Sequence, residues 1–263
     1  MIGLFFGDTN FPKLILNSIK KKKKNYFIID LSKNYVFKKD SNSYRISIGQ
    51  FGKILKLIRH KKCKKVIFAG KINKPKFSEL KLDITGIYYI PRIIKAAKKG
   101  DAAILKELIK ILSIEKIKVI NSIFFNPELS LSKGNYTKHK PNKNDLKDIK
   151  KGIKNLNKSN AYDHVQGLVV RNNNVIVKES FKGTKKMLQK IKKNKNNTGT
   201  FIKFPKKKQD LRADLPTIGF ETFKDCKKAG LNGIVLKSKQ HVFLDKKKCI
   251  NFANINKMFI TIK

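Results

Sequence analysis

Acidic side chains are scarce in this chain: 18 Asp and Glu stand against 62 Lys and Arg, a formal charge of +44 over 263 residues. Arginine is scarce too, with five (Arg45, Arg59, Arg92, Arg171 and Arg212) beside 57 lysines. That shortage argues against base reading, because the planar guanidinium fork is what pairs bidentately with guanine, and the lysines are spread along the chain rather than gathered in one segment. With Asn, Ile and Phe abundant beside them, a solvated surface shaped by AT-rich codons accounts for the charge better than a specific nucleic-acid partner. Cysteine is limited to Cys63, Cys226 and Cys249, with no C-x-x-C pair, which excludes a paired-thiolate zinc or dithiol site and fits a reducing cytosol. His60, His139, His164 and His241 lack H-x-x-x-H or H-E-x-x-H spacing, which disfavours zinc catalysis. A G-x-S-x-G elbow, a Walker loop and a G-x-G-x-x-G fingerprint are all missing, which removes the serine hydrolases and leaves ATP or dinucleotide sites without support. No run of about 20 apolar residues occurs, so any membrane contact is expected to be peripheral. No basic leader precedes the first apolar run, which Asp8 interrupts, so no signal peptide is expected.

What is present alternates. Ile2 to Phe6 reads as a strand ending at Gly7, and Leu14, Ile15 and Ile19 after Phe11-Pro12 have helical spacing. Tyr26 to Leu31 is a second strand, Phe51, Ile54, Leu55 and Ile58 share one helical face, and Val66 to Ala69 is a third strand closed by Gly70. Strand and helix in this order predict a parallel sheet covered on both sides. Lys71 to Ile90 is expected to be a long loop, with Pro91 opening a helix that Gly100 ends and Asp101 capping the next. Capping alone explains Gly100 and Asp101. Asn126 to Asn144 suits a linker. Beyond it, Val165 to Val170 and Val175 to Val177 flank an Asn172-Asn173-Asn174 turn, followed by a helix around Met187, a strand from Thr200 to Phe204, a helix from Phe223 to Ala229, and strands at Ile234 to Leu236 and His241 to Leu244. The expectation is an α/β protein with a Rossmann-like parallel-sheet domain over residues 1–134 and a mixed α+β domain over 135–263.

Against so few acids, Asp210 and Asp214 stand out in the stretch Gln209 to Gly219. Two carboxylates four residues apart suit Mg²⁺ or Mn²⁺ between themselves and a phosphate, or one of them could orient a water. Equally, Asp210 could pair with Arg212 or a lysine while Asp214 caps a turn. Gly7, Asp8, Asn10, Phe11 and Pro12 lie at the carboxyl end of the first strand, where open α/β sheets bind ligands, and the position suits a nucleotide diphosphate. Asp163, His164 and Gln166 precede a strand and could reach a site or remain solvated.

Taken in order, these motifs resemble the UDP-2,3-diacylglucosamine pyrophosphatases of the type unrelated to calcineurin-like phosphoesterases. The residues behind the resemblance are Ile2-Gly3-Leu4 with Gly7 and Phe11-Pro12, Gly49 to Lys53, Ala69-Gly70-Lys71 with Lys74-Pro75 and Phe77, and Pro91-Arg92 with Lys99-Gly100-Asp101. In the second half they are Gln166-Gly167, Lys203-Phe204-Pro205, Gln209-Asp210, Asp214 to Gly219, Ala229-Gly230-Leu231 and Gly233-Ile234. The resemblance implies a two-domain hydrolase of lipid A biosynthesis with its lipid bound in a cleft between the domains. It implies Mg²⁺ dependence and attack of water on the α-phosphorus of an acylated UDP-sugar to release UMP. A cytoplasmic site at the inner-membrane surface and a homodimer fit it. It points to Asp214 as catalytic carboxylate and Asp210 as metal partner or second base, with Lys203 and Arg212 on the phosphate charge. The Gly7–Pro12 loop, Gly70-Lys71, Gly100-Asp101, Gln166, Gln209 and Thr217 are expected to contact substrate. The chain departs from the family pattern at Lys182 and Lys185, where acids flank Gly-Thr, and at Lys207-Lys208 in place of Pro-Gly. Glu179, three residues before Lys182, could compensate for a lost acid, although an exposed residue at a strand end is the simpler expectation.

Overall fold

The computed structural model describes residues 1–72, 76–158, 165–192, 198–206 and 209–263. Lys74-Pro75, Asp163-His164 and Lys207-Lys208 therefore lie outside the described residues. The chain divides into two compact units, Met1–Pro127 and Glu128–Lys263.

The first unit is built on a five-stranded parallel sheet: β1 (Ile2–Phe6), β2 (Tyr26–Asp30), β3 (Ser43–Tyr44), β4 (Lys65–Ala69) and β5 (Lys118–Val119), in the order β3-β2-β1-β4-β5. Its central strands carry unbroken apolar runs, Leu4 to Phe6, Phe27 to Ile29 and Val66 to Phe68, all buried, as strands covered on both faces require. The helices are α1 (Phe11–Lys21), α2 (Phe51–His60), α3 (Ile84–Ala97) and α4 (Asp101–Ile114). The ends of α1, α2 and α4 share one device. Lys23, Lys62 and Lys116 sit just past each helix at φ of +48°, +48° and +58°, and the N–H groups of Lys24, Cys63 and Ile117 reach back to the carbonyls of Ile19, Ile58 and Leu112. This is the left-handed cap that usually carries glycine.

Two linked expectations fail in this unit. The long loop expected from Lys71 does not reach Ile90 but gives way to helix at Ile84. Pro91 does not open a helix but lies inside α3, which begins at Ile84. The reason is Asp83. Its Oδ1 accepts from Gly86 N (2.8 Å) and Gly52 N (3.1 Å), and its Oδ2 from Lys53 N (3.0 Å), so one carboxylate caps the first turns of both α2 and α3. Burial alone would push this carboxyl up, but the three backbone donors and nearby Lys53 hold it below the ordinary carboxylate range.

The second unit holds a six-stranded mixed sheet, ordered β6-β13-β11-β9-β7-β8, from β6 (Gly134–Asn135), β7 (Gly167–Arg171), β8 (Asn174–Lys178), β9 (Gly199–Lys203), β11 (Leu231–Leu236) and β13 (Phe259–Ile262). Beside it, β10 (Thr217–Ile218) pairs in parallel with β12 (Val242–Phe243). Asn172 and Asn173, at φ +50° and +58°, form the two-residue turn between β7 and β8. Strand alternation sorts the core. Leu168, Val170, Ile202, Val235 and Phe259 face α5 (Lys143–Lys158) through Ile149 and Leu156. Val169, Phe201, Ile234, Leu236, Ile260 and Ile262 face α6 (Gly183–Gln189), α7 (Phe220–Lys228) and α8 (Lys246–Ile255). Residues 143–158, of which only the first two fell in the expected linker and the rest had no expected element, form a helix that covers one face of the sheet. His241, fully buried, accepts from Leu131 N at Nε2 (3.0 Å) and so donates from Nδ1 to Lys237 O (2.7 Å). Burial lowers its pKa, which keeps the ring neutral and structural.

Candidate active site

In the first unit the strand order places a switch point between β1 and β4, whose carboxyl ends carry the Gly7–Pro12 and Gly70-Lys71 loops. The structure brings these together. Asp8 N donates to Lys71 O (2.8 Å) and Lys71 N to Asp8 O (2.9 Å), an isolated antiparallel bridge across the crevice. The approach is so close that a side chain on Gly7 would run into the Lys71 carbonyl, and one on Gly70, at φ +87°, would meet Asp8 O and Pro12. Thr9, at φ +95°, is a non-glycine residue in a rarely populated conformation, the kind of strain that collects at functional loops. Asp8 Oδ1 accepts from Lys33 N (3.2 Å). Asn10 precedes α1 without a side-chain capping bond, and Phe11 and Pro12 are buried at the start of that helix. Asp30, buried at the end of β2, was not singled out from the sequence; its oxygens accept from Ser32 N, Ser32 Oγ and Phe37 N and shape the following turn. Gly100, at φ +107°, makes the turn between α3 and α4 and itself occupies the N-cap position of α4, so Asp101 is not the expected cap but the first residue inside the helix. A cavity of about 700 Å³ opens at the opposite edge of the sheet, among Lys23, Lys24, Lys62, Lys64, Lys65 and Lys118, and no expected site residue lines it.

The second unit gathers the ionisable groups. Lys203 closes β9 and is almost fully buried, with its ammonium 2.6 Å from Thr184 Oγ1 and 4.0 Å from Glu179 Oε1. Thr184 in turn donates to Glu179 Oε1 at 2.6 Å. Burial lowers the Lys203 pKa, and the carboxylates of Glu179 and then Asp214 act against that. Asp214 is half-buried on the loop after β9, and burial raises its pKa above the ordinary carboxylate range, with Gln209, Lys206 and Lys203 opposing the shift. Gln166 is held at this place because β7 pairs with β9: its carbonyl accepts from Phe204 N (3.0 Å), and Gly167 lies opposite Lys203. Gln209 accepts from Lys206 N (2.9 Å) through Oε1. Two buried oxygens, Glu179 Oε2 and Gln166 Oε1, have no hydrogen-bond partner among the described residues. Buried acceptors left open next to a lysine are what a bound ligand, water or cation would complete.

Asp210 and Arg212 share the loop but not the arrangement. Arg212 Nε and Nη2 fork onto Asp210 Oδ1 and Oδ2 at 2.9 and 2.7 Å, and Arg212 N also donates to Oδ1. This is the pairing that competed with metal binding on sequence grounds. Thr217, on β10, is exposed and donates its hydroxyl to Leu215 O (3.1 Å). The site also contains two residues not expected there. Glu179 is buried, not exposed, and Thr184 links it to Lys203, whereas Lys182 and Lys185 point to solvent. Strand parity carried part of the missing signal, because Val177 and Glu179 are two residues apart at the end of β8, whereas Val175, beyond a register shift, packs on the other face of the sheet.

For Mg²⁺, the donor chemistry fits in part. No group of three His, Cys, Asp or Glu side chains able to hold a metal forms among the described residues. Magnesium often needs only one or two carboxylates, with waters and substrate phosphates completing its shell. Asp214, whose charge burial disfavours, suits a cation neighbour, whereas Asp210 would first have to release Arg212.

A two-unit α/β chain with a glycine-built crevice at one sheet's switch point, and a buried lysine among carboxylates at the end of a strand in the other, has the build of a protein that handles phosphorylated ligands. Comparison places it more narrowly. Residues 1–129 match the model of the LpxI N-terminal domain and residues 132–261 that of the LpxI C-terminal domain, so the chain belongs to the LpxI family. It is 32% identical over 223 residues to the UDP-2,3-diacylglucosamine pyrophosphatase LpxI of Caulobacter vibrioides, covering 82% of this chain and 80% of that protein.

Proposed function

We propose that this chain hydrolyses the pyrophosphate of UDP-2,3-diacylglucosamine, with water attacking the α-phosphorus to give UMP and 2,3-diacylglucosamine 1-phosphate, a step of lipid A biosynthesis. The observation that carries the reading is the buried Lys203 between Glu179 and Asp214, at the strand end where Gln166 leaves an acceptor open. Cleaving a diphosphate calls for neutralised charge on the phosphoryl oxygens and a positioned water more than for a covalent nucleophile. Lys203 supplies a fixed positive charge. Thr184 and Glu179 hold its ammonium in one orientation, so no solvent reorganisation is needed as charge develops. Asp214 orients the water and accepts its proton at a carboxylate oxygen. Its raised pKa suits that task, because a general base works best when its pKa lies nearer the operating pH. Arg212, steered by Asp210 and half exposed, meets the outer phosphate oxygens.

Mg²⁺, with Mn²⁺ as substitute, belongs to the same proposal: Asp214 would hold it, and it would supply charge neutralisation across the diphosphate. The crevice at Gly7 and Gly70 takes part in holding the nucleotide. The protein works at the cytoplasmic face of the inner membrane as a peripheral protein, in keeping with the lack, among the described residues, of a helix long and apolar enough to cross a bilayer. It does so as a homodimer.

The test is UMP release from UDP-2,3-diacylglucosamine with and without Mg²⁺. Turnover is expected only with the metal, and Asp214→Ala should abolish it with the circular dichroism spectrum retained. Binding of Mn²⁺ followed by paramagnetic resonance should weaken in the same variant. Unchanged turnover in Asp214→Ala would remove the catalytic assignment. The charge of +44 favours a second reading, a non-catalytic binder of nucleotide sugars or nucleic acid. Affinity for any polyanion that falls steeply with salt, without UMP release, would support that one instead.

A further inference from the structure

Helix α3 is fastened on one side and bare on the other. Its inner face is held by Tyr89, buried and edge-on to Phe51 at 5.6 Å between ring centroids, and by Arg92, whose Nε donates to Glu107 Oε1 at 2.7 Å. Asp83 pins its first turn to α2. The helix is therefore not free to roll, and the face it shows is set by these contacts. That face is apolar. Ile84, Tyr88 and Pro91 on one line and Ile87, Pro91 and Ile94 on the next are spaced by three or four residues, which puts the five in a single stripe. Ile84 is 87% exposed, Tyr88 71%, Ile87 59% and Ile94 37%. Exposed single apolar residues are ordinary, but a continuous stripe along a helix marks a surface meant to be covered.

We infer that this stripe is the surface by which the chain docks on an anionic lipid bilayer, lying in the headgroup plane with Ile84, Ile87 and Tyr88 turned into the acyl boundary. The inference deepens the proposed function, and it rests on that reading for the acylated substrate that would bring the protein to a membrane. Charge complementarity selects the occupant. Lys95 falls on the same helical line as the stripe and Lys98 beside it, both exposed, and Lys81 and Lys99 are exposed near the two ends. Asp83, the acid at the start of α3, is committed to its capping bonds. Long lysine stems can lie along the apolar surface while their ammonium groups reach anionic headgroups, and a tyrosine at the boundary keeps its hydroxyl wet. The 14 residues of α3 span about 21 Å, too short to cross a bilayer and suited to lying within its interface. A second copy docked on this stripe would set its own Lys95 and Lys98 against the same lysine rim, which disfavours self-association through this face.

The experiment uses the full chain and two kinds of vesicle, phosphatidylcholine alone and phosphatidylcholine with about a third phosphatidylglycerol, the latter supplying the negative surface potential. Co-sedimentation is expected with the anionic vesicles. Ile87→Asp with Tyr88→Ser should weaken it at least about tenfold, and Lys95→Gln and Lys98→Gln about fivefold each, on anionic vesicles only. UMP release from substrate dispersed in detergent should be unchanged in all of them, which also reports that they are folded. Vesicle binding equal to wild type in the Ile87/Tyr88 variant would overturn the inference. So would a loss of self-association in that variant, by analytical ultracentrifugation, with vesicle binding intact, since the stripe would then cover a second copy. A wild-type chain that binds vesicles but releases no UMP refutes the enzymatic reading and leaves the docking face standing, and one that releases UMP in detergent but ignores vesicles refutes the docking face alone.

Discussion

Replacing Glu179 by Gln tests the central arrangement through stability rather than turnover. In the wild type the Lys203 ammonium and the Glu179 carboxylate are both buried, 4.0 Å apart, and tied by the Thr184 hydroxyl at 2.6 Å to each side. Removing one partner of a buried pair costs about 3–5 kcal/mol, because the other charge stays uncompensated. Here the lower end is expected, about 3 kcal/mol at pH 7, since glutamine still offers Thr184 an acceptor and Asp214 still faces the lysine. The loss should depend on pH. The folded pKa of Lys203 lies below its unfolded value, so between the two the unfolded chain binds the extra proton and stability rises with pH. Taking away Glu179 lowers the folded value further and extends that window toward neutrality. The variant should therefore lose most stability near pH 7 and recover much of the deficit near pH 10, where a neutral amine needs no counter-charge. Urea unfolding followed by circular dichroism at both pH values measures it. Thr184→Val, which removes both hydroxyl bonds, should cost about 2 kcal/mol at pH 7, and the double variant should cost less than the sum. A loss below about 1 kcal/mol, or one equal at both pH values, would show that the three groups do not act as a unit.

Asp214→Asn should separate function from stability. Burial raises the folded pKa of Asp214, so its contribution is full below the ordinary carboxylate pKa and is lost as pH rises through the folded value. The asparagine variant should be as stable as wild type at pH 7, or more stable by on the order of 1 kcal/mol, while UMP release falls about 10²- to 10⁴-fold. Asp83→Ala removes two helix caps and should cost about 2 kcal/mol. Because the folded pKa of Asp83 is depressed, that stabilisation is present above the ordinary carboxylate pKa and disappears as acid titrates the folded state, so the variant and wild type should converge in urea melts at low pH. Lys62→Gly, at a left-handed position, should raise stability by about 0.5–1 kcal/mol in the same assay, and Lys116→Gly likewise.

The parallel sheet of the first unit was legible because Ile2–Phe6, Tyr26–Asp30 and Val66–Ala69 are short apolar runs set between helical stripes, a pattern that few other folds satisfy. The Asn172-Asn173 turn was legible for a local reason, the tolerance of asparagine for positive φ. Helix α5 was obscured by its own composition. Ile149, Ile153 and Leu156 have helical spacing, but lysine and asparagine around them look like more linker. Strand β13 is four residues long, too short for a period to declare itself. Pro91 misled because a proline reads as a helix start, and the true start is fixed by Asp83 reaching across to Gly52, a contact 31 residues away in sequence. In the candidate site, Asp214 and Lys203 were candidates by residue type and resemblance. The competition for Asp210 was legible, but only the fold shows Arg212 in possession of both its oxygens. Glu179 and Thr184 join Lys203 from sequence distances of 24 and 19, where no local rule reaches.

The bridge between Asp8 and Lys71 is made wholly of main chain. A latch of peptide groups does not depend on the side chains it carries, so a substitution at residue 8 or 71 would leave the two loops shut together whatever those side chains do in the crevice. The burden of keeping them closed falls instead on the glycines at 7 and 70, whose lack of a side chain is the one thing the latch requires.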